Sequence, residues 1–530
     1  MQLGMWIPNC LPRFPFSCGY WQNAAFYQSS VDVNNDGSID VRDYVLGGLG
    51  STQTFFDATE CAGINAQYTP ISPVQYWITG QTWGDYDGDG WVDFYVTNAS
   101  GPNGLYHNQG DGTFLMSPIQ GQVALAAIQS GGAVFVDYDN DGWQDLYVVN
   151  KGANTLFHNN AGLSFTDVSV LSGVDDPGVG ESATWGDYDG DGYLDLYVAN
   201  WERTLGNPAA YPDALFHNNQ DGTFTNVTSL LTFETGYLGF IAGFVDVDKD
   251  GDQDIYLLTD CPEPNALWRN DGSDGLGGWV FTEVAASWNA DVAVCAMGLA
   301  VGDYDNDGDQ DLYFSNRGPQ VFLQNQVEQG SSLFSEETIP SGLLFDAFGW
   351  GASFFDYDND RHLDLMLATY DENPIIDSRL YHNLGDGTFA DVSLNSGVQF
   401  GAKSFGFALA DYDKDGWQDI LLNQHFSPVK VLKNTGALES VNQWLQVQLV
   451  GGGSVNRDAI GCRVVVQTSS GALLTKQLSA GCNIGSCDEK ILNFGLAGDT
   501  ITSVTVHWTD GTTKTILSPS TNQRLVIAYL

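Results

Sequence analysis

The chain alternates short apolar runs with polar, glycine-rich breaks. Runs such as DLYVVN (145–150) and DLYVAN (195–200) are rich in aromatic and β-branched residues and are bounded by Gly, Asn and Asp. That pattern predicts short strands between tight turns. A second short run follows: LYHN at 105, LFHN at 156 and 215, LWRN at 267, LYHN at 380. A Gly-rich turn then leads to a third, as in DGTFTNVT (221–228) and DGTFADVS (386–393), and segments such as ATWG (183–186) supply a fourth. From 443 onward the pattern changes. WLQVQLV, CRVVVQT, SVTVHW and RLVIAYL alternate with a period of two, predicting a small β-sandwich over 437–530.

The four-strand unit repeats, and an acidic nonapeptide marks each copy. It reads DYDGDGWVD (Asp85, Asp87, Asp89, Asp93), DYDNDGWQD (Asp137, Asp139, Asp141, Asp145) and DYDGDGYLD (Asp187, Asp189, Asp191, Asp195). Then come DVDKDGDQD (Asp246, Asp248, Asp250, Asp254) and DYDNDGDQD (Asp303, Asp305, Asp307, Asp311). DYDNDRHLD (Asp356, Asp358, Asp360, Asp364) and DYDKDGWQD (Asp411, Asp413, Asp415, Asp419) complete the set. Successive starts lie 52, 50, 59, 57, 53 and 55 residues apart, a period suited to a four-stranded blade. The expected fold is an all-β, seven-bladed β-propeller over 51–436. The seventh copy stops after VLKN (431–434), while TFFDATECAGI (54–64) matches the missing strand of other copies. An N-terminal strand is therefore expected to complete the last blade and close the ring, removing its open edges.

In DxDxDGxxD, carboxylates at positions 1, 3, 5 and 9 can converge on one cation, the position-7 carbonyl can add an oxygen, and Gly at position 6 permits the sharp turn. An all-oxygen, acid-rich and flexible donor set suits Ca²⁺ better than Mg²⁺ or softer metals. The alternative is that acidic Gly-containing turns are simply good turns, but it leaves the repeated position-9 Asp unexplained. About one Ca²⁺ per blade is expected, with a weaker site where Arg361 replaces the position-6 Gly and His362 follows. Residues 31–50 hold a different loop, with Asp32, Asn34, Asp36, Asp40 and Asp43 at EF-hand positions 1, 3, 5, 9 and 12. It predicts one further Ca²⁺, in a calcium-rigidified connector.

Charge supports a cation-binding reading. There are 66 acidic against 19 basic residues, a formal net of −47, which disfavours nucleic acid. No run approaches the roughly 18 apolar residues of a membrane span, so no membrane insertion is expected. The first residues lack a signal peptide's basic start and unbroken apolar centre. Extracellular modules bind calcium at about 10⁻⁴–10⁻³ M, a range that suits an exported protein. Sequons at Asn98 and Asn226 are compatible with export. The eight Cys leave connectivity open. Cys10 and Cys18, and Cys482 and Cys487, are close in sequence, and Cys261 and Cys295 in neighbouring repeats are the next pair.

These residues resemble a known family. The seven acid-loop blades resemble FG-GAP/VCBS repeats of integrin-α-like propellers. AIGCRVVV (459–466), NFGLAG (493–498) and VTVHWTDGT (504–512) resemble the ASPIC/UnbV domain, with Thr509 where that domain usually has Pro. Together they resemble the cartilage acidic protein group over most of 54–530, which implies extracellular calcium binding and adhesion or matrix roles. The single loop at 32–43 resembles half of a dockerin.

No nucleophile elbow, HExxH, P-loop or dinucleotide fingerprint occurs, so no enzyme is expected. His107, His158, His217 and His382 share one repeat position, filled by Arg269, Gln324 and Lys433 in the other blades, and read as structural. Two functions remain. One is a fibre or cell-surface adhesion subunit that assembles head to tail. Its contact would come from residues 1–30, which hold Trp6, Phe14, Phe16, Tyr20, Trp21, Phe26 and Tyr27 against one charge, Arg13. The other is a monomeric propeller that recognises extracellular glycan or protein. There Trp91, Trp143 and Trp417 would stack on sugars, although packing between blades is the preferred reading of these three.

Overall fold

The computed structural model describes residues 54–64, 79–201, 212–232, 239–260, 263–327, 333–370, 376–394, 396–399, 404–424, 429–436, 442–481 and 483–529. Blade 1 is an antiparallel sheet of Gln81–Gly84, Asp93–Val96, Gly104–Asn108 and Phe114–Met116. Blades 2, 3 and 4 repeat that order from Ser130–Val136, Gly180–Gly186 and Gly239–Val245. Blades 5 and 6 begin at Ala296–Gly302 and Asp346–Phe355. Their sheets are joined because Arg317–Pro319 pairs with Asp346–Phe348. Blade 7 contains Ser404–Ala410, Asp419–Gln424 and Lys430–Asn434, and its fourth strand is Phe55–Asp57.

That last pairing closes the ring as the sequence predicts. Phe55 faces Asn434, Phe56 faces Lys433 and Asp57 faces Leu432. The first strand of each blade packs on the next, and the blade 7 strand Ser404–Ala410 packs on Gln81–Gly84 of blade 1. Between blades the apolar side chains interlock. Trp83 of blade 1 lies parallel to Tyr412 of blade 7 with ring centroids 6.4 Å apart, and Phe114 sits 5.5 Å from the same tyrosine. Trp83, Trp185 and Trp268 are fully buried, each removing a large apolar surface from water.

The C-terminal region forms the expected sandwich. Gln443–Val450 pairs antiparallel with Leu492–Ala497 and parallel with Gln523–Ala528. A second sheet orders Leu473–Gln477, Arg463–Thr468, Ile501–His507 and Thr513–Leu517. Leu445, Val447 and Phe494 of one sheet meet Val464, Val466 and Val504 of the other in a closed core. The alternation seen in the sequence is this inward-facing set.

The sandwich docks on the ring and threads its axis, which the apolar pattern gave no sign of. The segment after Gln477 runs along the inner edges of the blades. Trp185 N donates to Ala480 O at 3.1 Å, Ala133 N to Gly485 O at 3.3 Å and Trp83 N to Cys487 O at 3.1 Å. Leu409 N donates to the Asp488 carboxylate at 2.8 Å, and Asp411 N to Glu489 at 2.7 Å. Backbone groups on inner edges that would otherwise lack partners are satisfied this way. The fit leaves no room for a side chain: a Cβ on Gly80 would lie 1.7 Å from Gly485 O. Ile484 packs among Phe240, Met297, Trp350 and Phe405.

Cys61 and Cys295 are each disulfide-bonded, and Cys10, Cys18, Cys261 and Cys482 lie outside the described residues. The Cys482–Cys487 pairing is corrected: Cys487 is a buried thiol that donates to Asp488 O at 3.5 Å. Asn98 is buried, which closes that sequon to a glycan, whereas Asn226 is exposed.

Candidate metal sites in the acid loops

Each acid loop joins the first strand of a blade to the second, and its geometry follows from the sequence. In blade 1, Asp85 Oδ2 accepts from Gly90 N at 2.9 Å and Oδ1 from Asp89 N at 3.1 Å. Asp89 Oδ1 accepts from Trp91 N at 2.8 Å. Positions 4 and 6 are left-handed in all seven loops, with Gly, Asn or Lys at the former. Arg361 holds φ 88° at position 6, a conformation costly for any residue with a side chain. Its guanidinium is bound by Asp499 of the sandwich at 2.6 Å, which helps hold it there.

Positions 1, 3 and 5 converge. In blade 1 an oxygen from each of Asp85, Asp87 and Asp89 lies within 4.8 Å of the other two. Position 9 does a second job. All seven of these Asp are at most 1% exposed, and Oδ1 accepts from the backbone N–H of an Asn on the third strand at 2.7–2.9 Å. In blades 1 to 6, Oδ2 also accepts from the position-2 N–H at 3.0–3.4 Å. The repeated position-9 Asp thus ties loop to blade, whatever else it binds.

Burial makes these carboxylates reluctant anions. It pushes Asp85 up to about 6, against the opposing hydrogen bond from Gly90, and Asp89 and Asp87 add to the rise. Burial also pushes Asp93, Asp145 and Asp195 up to about 7. Asp246 Oδ1, Asp303 Oδ1 and Asp358 Oδ1 are buried with no hydrogen-bond donor. Such oxygens fit a hard cation.

The residue before the strand-three Asn faces the same loop. His107 Nδ1 lies 3.1 Å from both Asp87 and Asp93, and His158, His217 and His382 repeat the arrangement at 3.1–3.7 Å. The position-9 carboxylate, 3.1–3.2 Å from each Nδ1, pushes all four imidazoles up to about 9. In blade 5 Gln324 donates to Asp305 at 2.8 Å, while Arg269 of blade 4 turns to Asp271 at 2.6 Å. Lys433 of blade 7 is buried against Asp413 and Asp415. Burial opposes its charge, but these two and Asp419 hold it protonated well above the ordinary lysine range.

Sequence reasoning missed the Asn itself. Asn108, Asn159, Asn218, Asn270, Asn325, Asn383 and Asn434 each donate from Nδ2 to the position-2 carbonyl of the preceding blade at 2.7–3.0 Å. Seven copies stitch the ring blade to blade. The signal was there in the Asn that closes every second run, after His in four of them and after Arg, Gln and Lys in the others.

The loops of blades 2, 4, 6 and 7 bond the sandwich or its axial segment. Asp137 N donates to Asp458 at 2.9 Å, and Lys490 neutralises that acid at 3.0 Å. Gln446 donates to Asp411 at 2.6 Å, and Asp246 N donates to Gln477 at 3.4 Å. Trp417 is buried rather than exposed, Trp143 packs on Gly88 and Gly162, and Lys414 sits 3.8 Å from the Trp91 ring centre. The expected loop of Asp32, Asn34, Asp36, Asp40 and Asp43, and residues 1–30, lie outside the described residues.

The fold and its sites define a closed propeller of acid-loop blades with a docked β-sandwich. The FG-GAP-like repeat model matches residues 85–148, 137–198, 246–314, 303–367 and 356–422, and the ASPIC and UnbV model matches 452–530. The chain belongs to the FG-GAP-like repeat family and carries an ASPIC and UnbV domain. Mouse cartilage acidic protein 1 is 24% identical over 484 residues, 84% of this chain and 73% of that protein. The Xenopus tropicalis protein of the same name is 28% identical over 283 residues, covering 50% of this chain and only 41% of its own length. Among solved structures, an Agrocybe aegerita lectin that recognises non-reducing terminal N-acetylglucosamine aligns with TM-score 0.41 at 16% identity, covering 61% of this chain and 82% of its own. The rhamnogalacturonan lyase YesW aligns with TM-score 0.35 at 16% identity, covering 64% of each chain. Among the described residues no helix is long and apolar enough to cross a membrane.

Proposed function

We propose that the protein is a secreted, non-catalytic binding or assembly protein whose propeller is stabilised by calcium. The observation that carries this is the repeated convergence of carboxylates, most of them half-buried, several with buried oxygens lacking any donor. Ca²⁺ would be held by positions 1, 3 and 5 of a loop, with position 9 at the base, and would supply the positive charge that these acids lack. The name of the relatives, cartilage acidic protein, accords with an extracellular setting. Assembly through residues 1–30, head to tail into a cell-surface or extracellular fibre, is the finer part of the reading and rests on their aromatic content. The lectin-like alternative loses support, because Trp417 and Trp143 pack against their own ring.

Chelation tests the calcium reading. Each site a hundredfold below ambient Ca²⁺ adds roughly 2.7 kcal/mol, so EDTA should lower the melting temperature by many degrees and calcium should restore it. An unchanged melting temperature would sink the reading. Electron microscopy of full-length and 1–30-deleted protein in calcium tests assembly, which an unchanged size distribution would refute.

A further inference from the structure

We propose that the closing blade carries its own cation: the Lys433 ammonium takes the place that calcium takes in other loops, so blade 7 binds none. The inference rests on the calcium reading and deepens it. Lys433 stands at the repeat position held by His in blades 1, 2, 3 and 6, yet it differs from them in reach, bonding positions 3 and 5 where the imidazoles face positions 3 and 9. Its Nζ bonds Asp413 Oδ2 and, at 2.9 Å, Asp415 Oδ2, the position-3 and position-5 carboxylates. Its side chain is nearly closed to solvent. In the other loops these two positions face an imidazole, a neutral Gln324, or an arginine bound to an acid outside the loop.

A divalent ion entering blade 7 would have to displace a buried ammonium or sit within a few ångströms of it, against like-charge repulsion. The position-1 carboxylate is also held, while Asp419 Oδ2 at position 9 is buried without a donor. Asp411 Oδ2 accepts from both Gly416 N and Gln446, and Asp411 N is bound by Glu489. The position has a consequence for closure. Phe56 of the N-terminal strand pairs with Lys433 itself, so the strand that completes the ring adds onto the strand bearing the built-in charge. The closing blade thus carries one positive charge among its acids without waiting for metal.

Calcium bound per full-length chain, measured by equilibrium dialysis with metal analysis, tests the proposal. Asp413→Asn should leave the number unchanged, Asp139→Asn in blade 2 should lower it by one, and Lys433→Met should raise it by one. If Asp413→Asn lowers the number as Asp139→Asn does, blade 7 is an ordinary site and the proposal is overturned while the calcium reading stands. If Asp139→Asn changes nothing because no calcium binds, both fall together. Should Lys433→Met fail to fold, the two aspartate variants still decide.

Discussion

Replacing Asn159 by Ala isolates the blade-to-blade stitch from the metal chemistry. Asn159 is fully buried, and its Nδ2 donates to Tyr86 O of blade 1 and to Gln144 O, both at 2.8 Å. Its Oδ1 accepts from Gly162 N at 2.8 Å. Truncation removes three hydrogen bonds at about 1 kcal/mol each and leaves their buried partners unsatisfied, for a loss of about 3 kcal/mol. At about 2.1 cal/mol/K of unfolding entropy per residue, a cooperative unit of this size would melt about 3 °C lower. Scanning calorimetry in saturating calcium is the assay. Asn160→Ala is the control, because its side chain bonds only within its own turn, to Ser164 and Thr166. Asn159→Asp should cost more than Ala, since it sets a carboxylate against two carbonyls. If Asn159→Ala were indistinguishable from Asn160→Ala, the stitching argument would be refuted.

Two further outcomes follow from the acid loops and the axis. Asp93, Asp145 and Asp195 hold protons up to about pH 7 when folded, against 3.8 unfolded, so metal-free folding takes up protons and stability falls as pH rises from about 4 to 7. The four histidines, raised from 6.5 to about 9, extend that loss toward pH 9. Melting curves in EDTA from pH 5 to 9 should therefore decline steadily, and more steeply than in calcium; a rise would contradict the burial argument. Gly80→Ala puts a methyl into Gly485 O and should destabilise by at least about 1–3 kcal/mol and expose 478–490 to protease, whereas Gly121→Ala, with nothing within 4 Å, should do neither.

Much of this molecule could be read from its sequence. The loops, the blade strands and the borrowed strand Phe55–Asp57 all followed from repetition, because each copy repeats the same local physics. Arg361 was legible as a left-handed residue for the same reason. The axial segment was not. SAGCNIGSCDEK (479–490) has no apolar period, and it is held by backbone edges and side chains that lie between 76 and 405 residues away. The Asn stitch was visible as a recurrence, but its partner lies one blade back, beyond any local pattern. Lys433 read as one more substitution at a variable position, since only the three-dimensional loop shows where its ammonium ends.

The thread through the axis also sets an order of events during synthesis. Phe55 must wait for Asn434, and Gln81 for Ser486, before either finds its partner. Contacts of such sequence separation make for slow locking. Until Lys430–Asn434 has emerged the nascent chain lacks the strand that Phe55–Asp57 joins, and a shortened product lacking its last fifty residues would keep both closing strands but lose most of the thread along its axis.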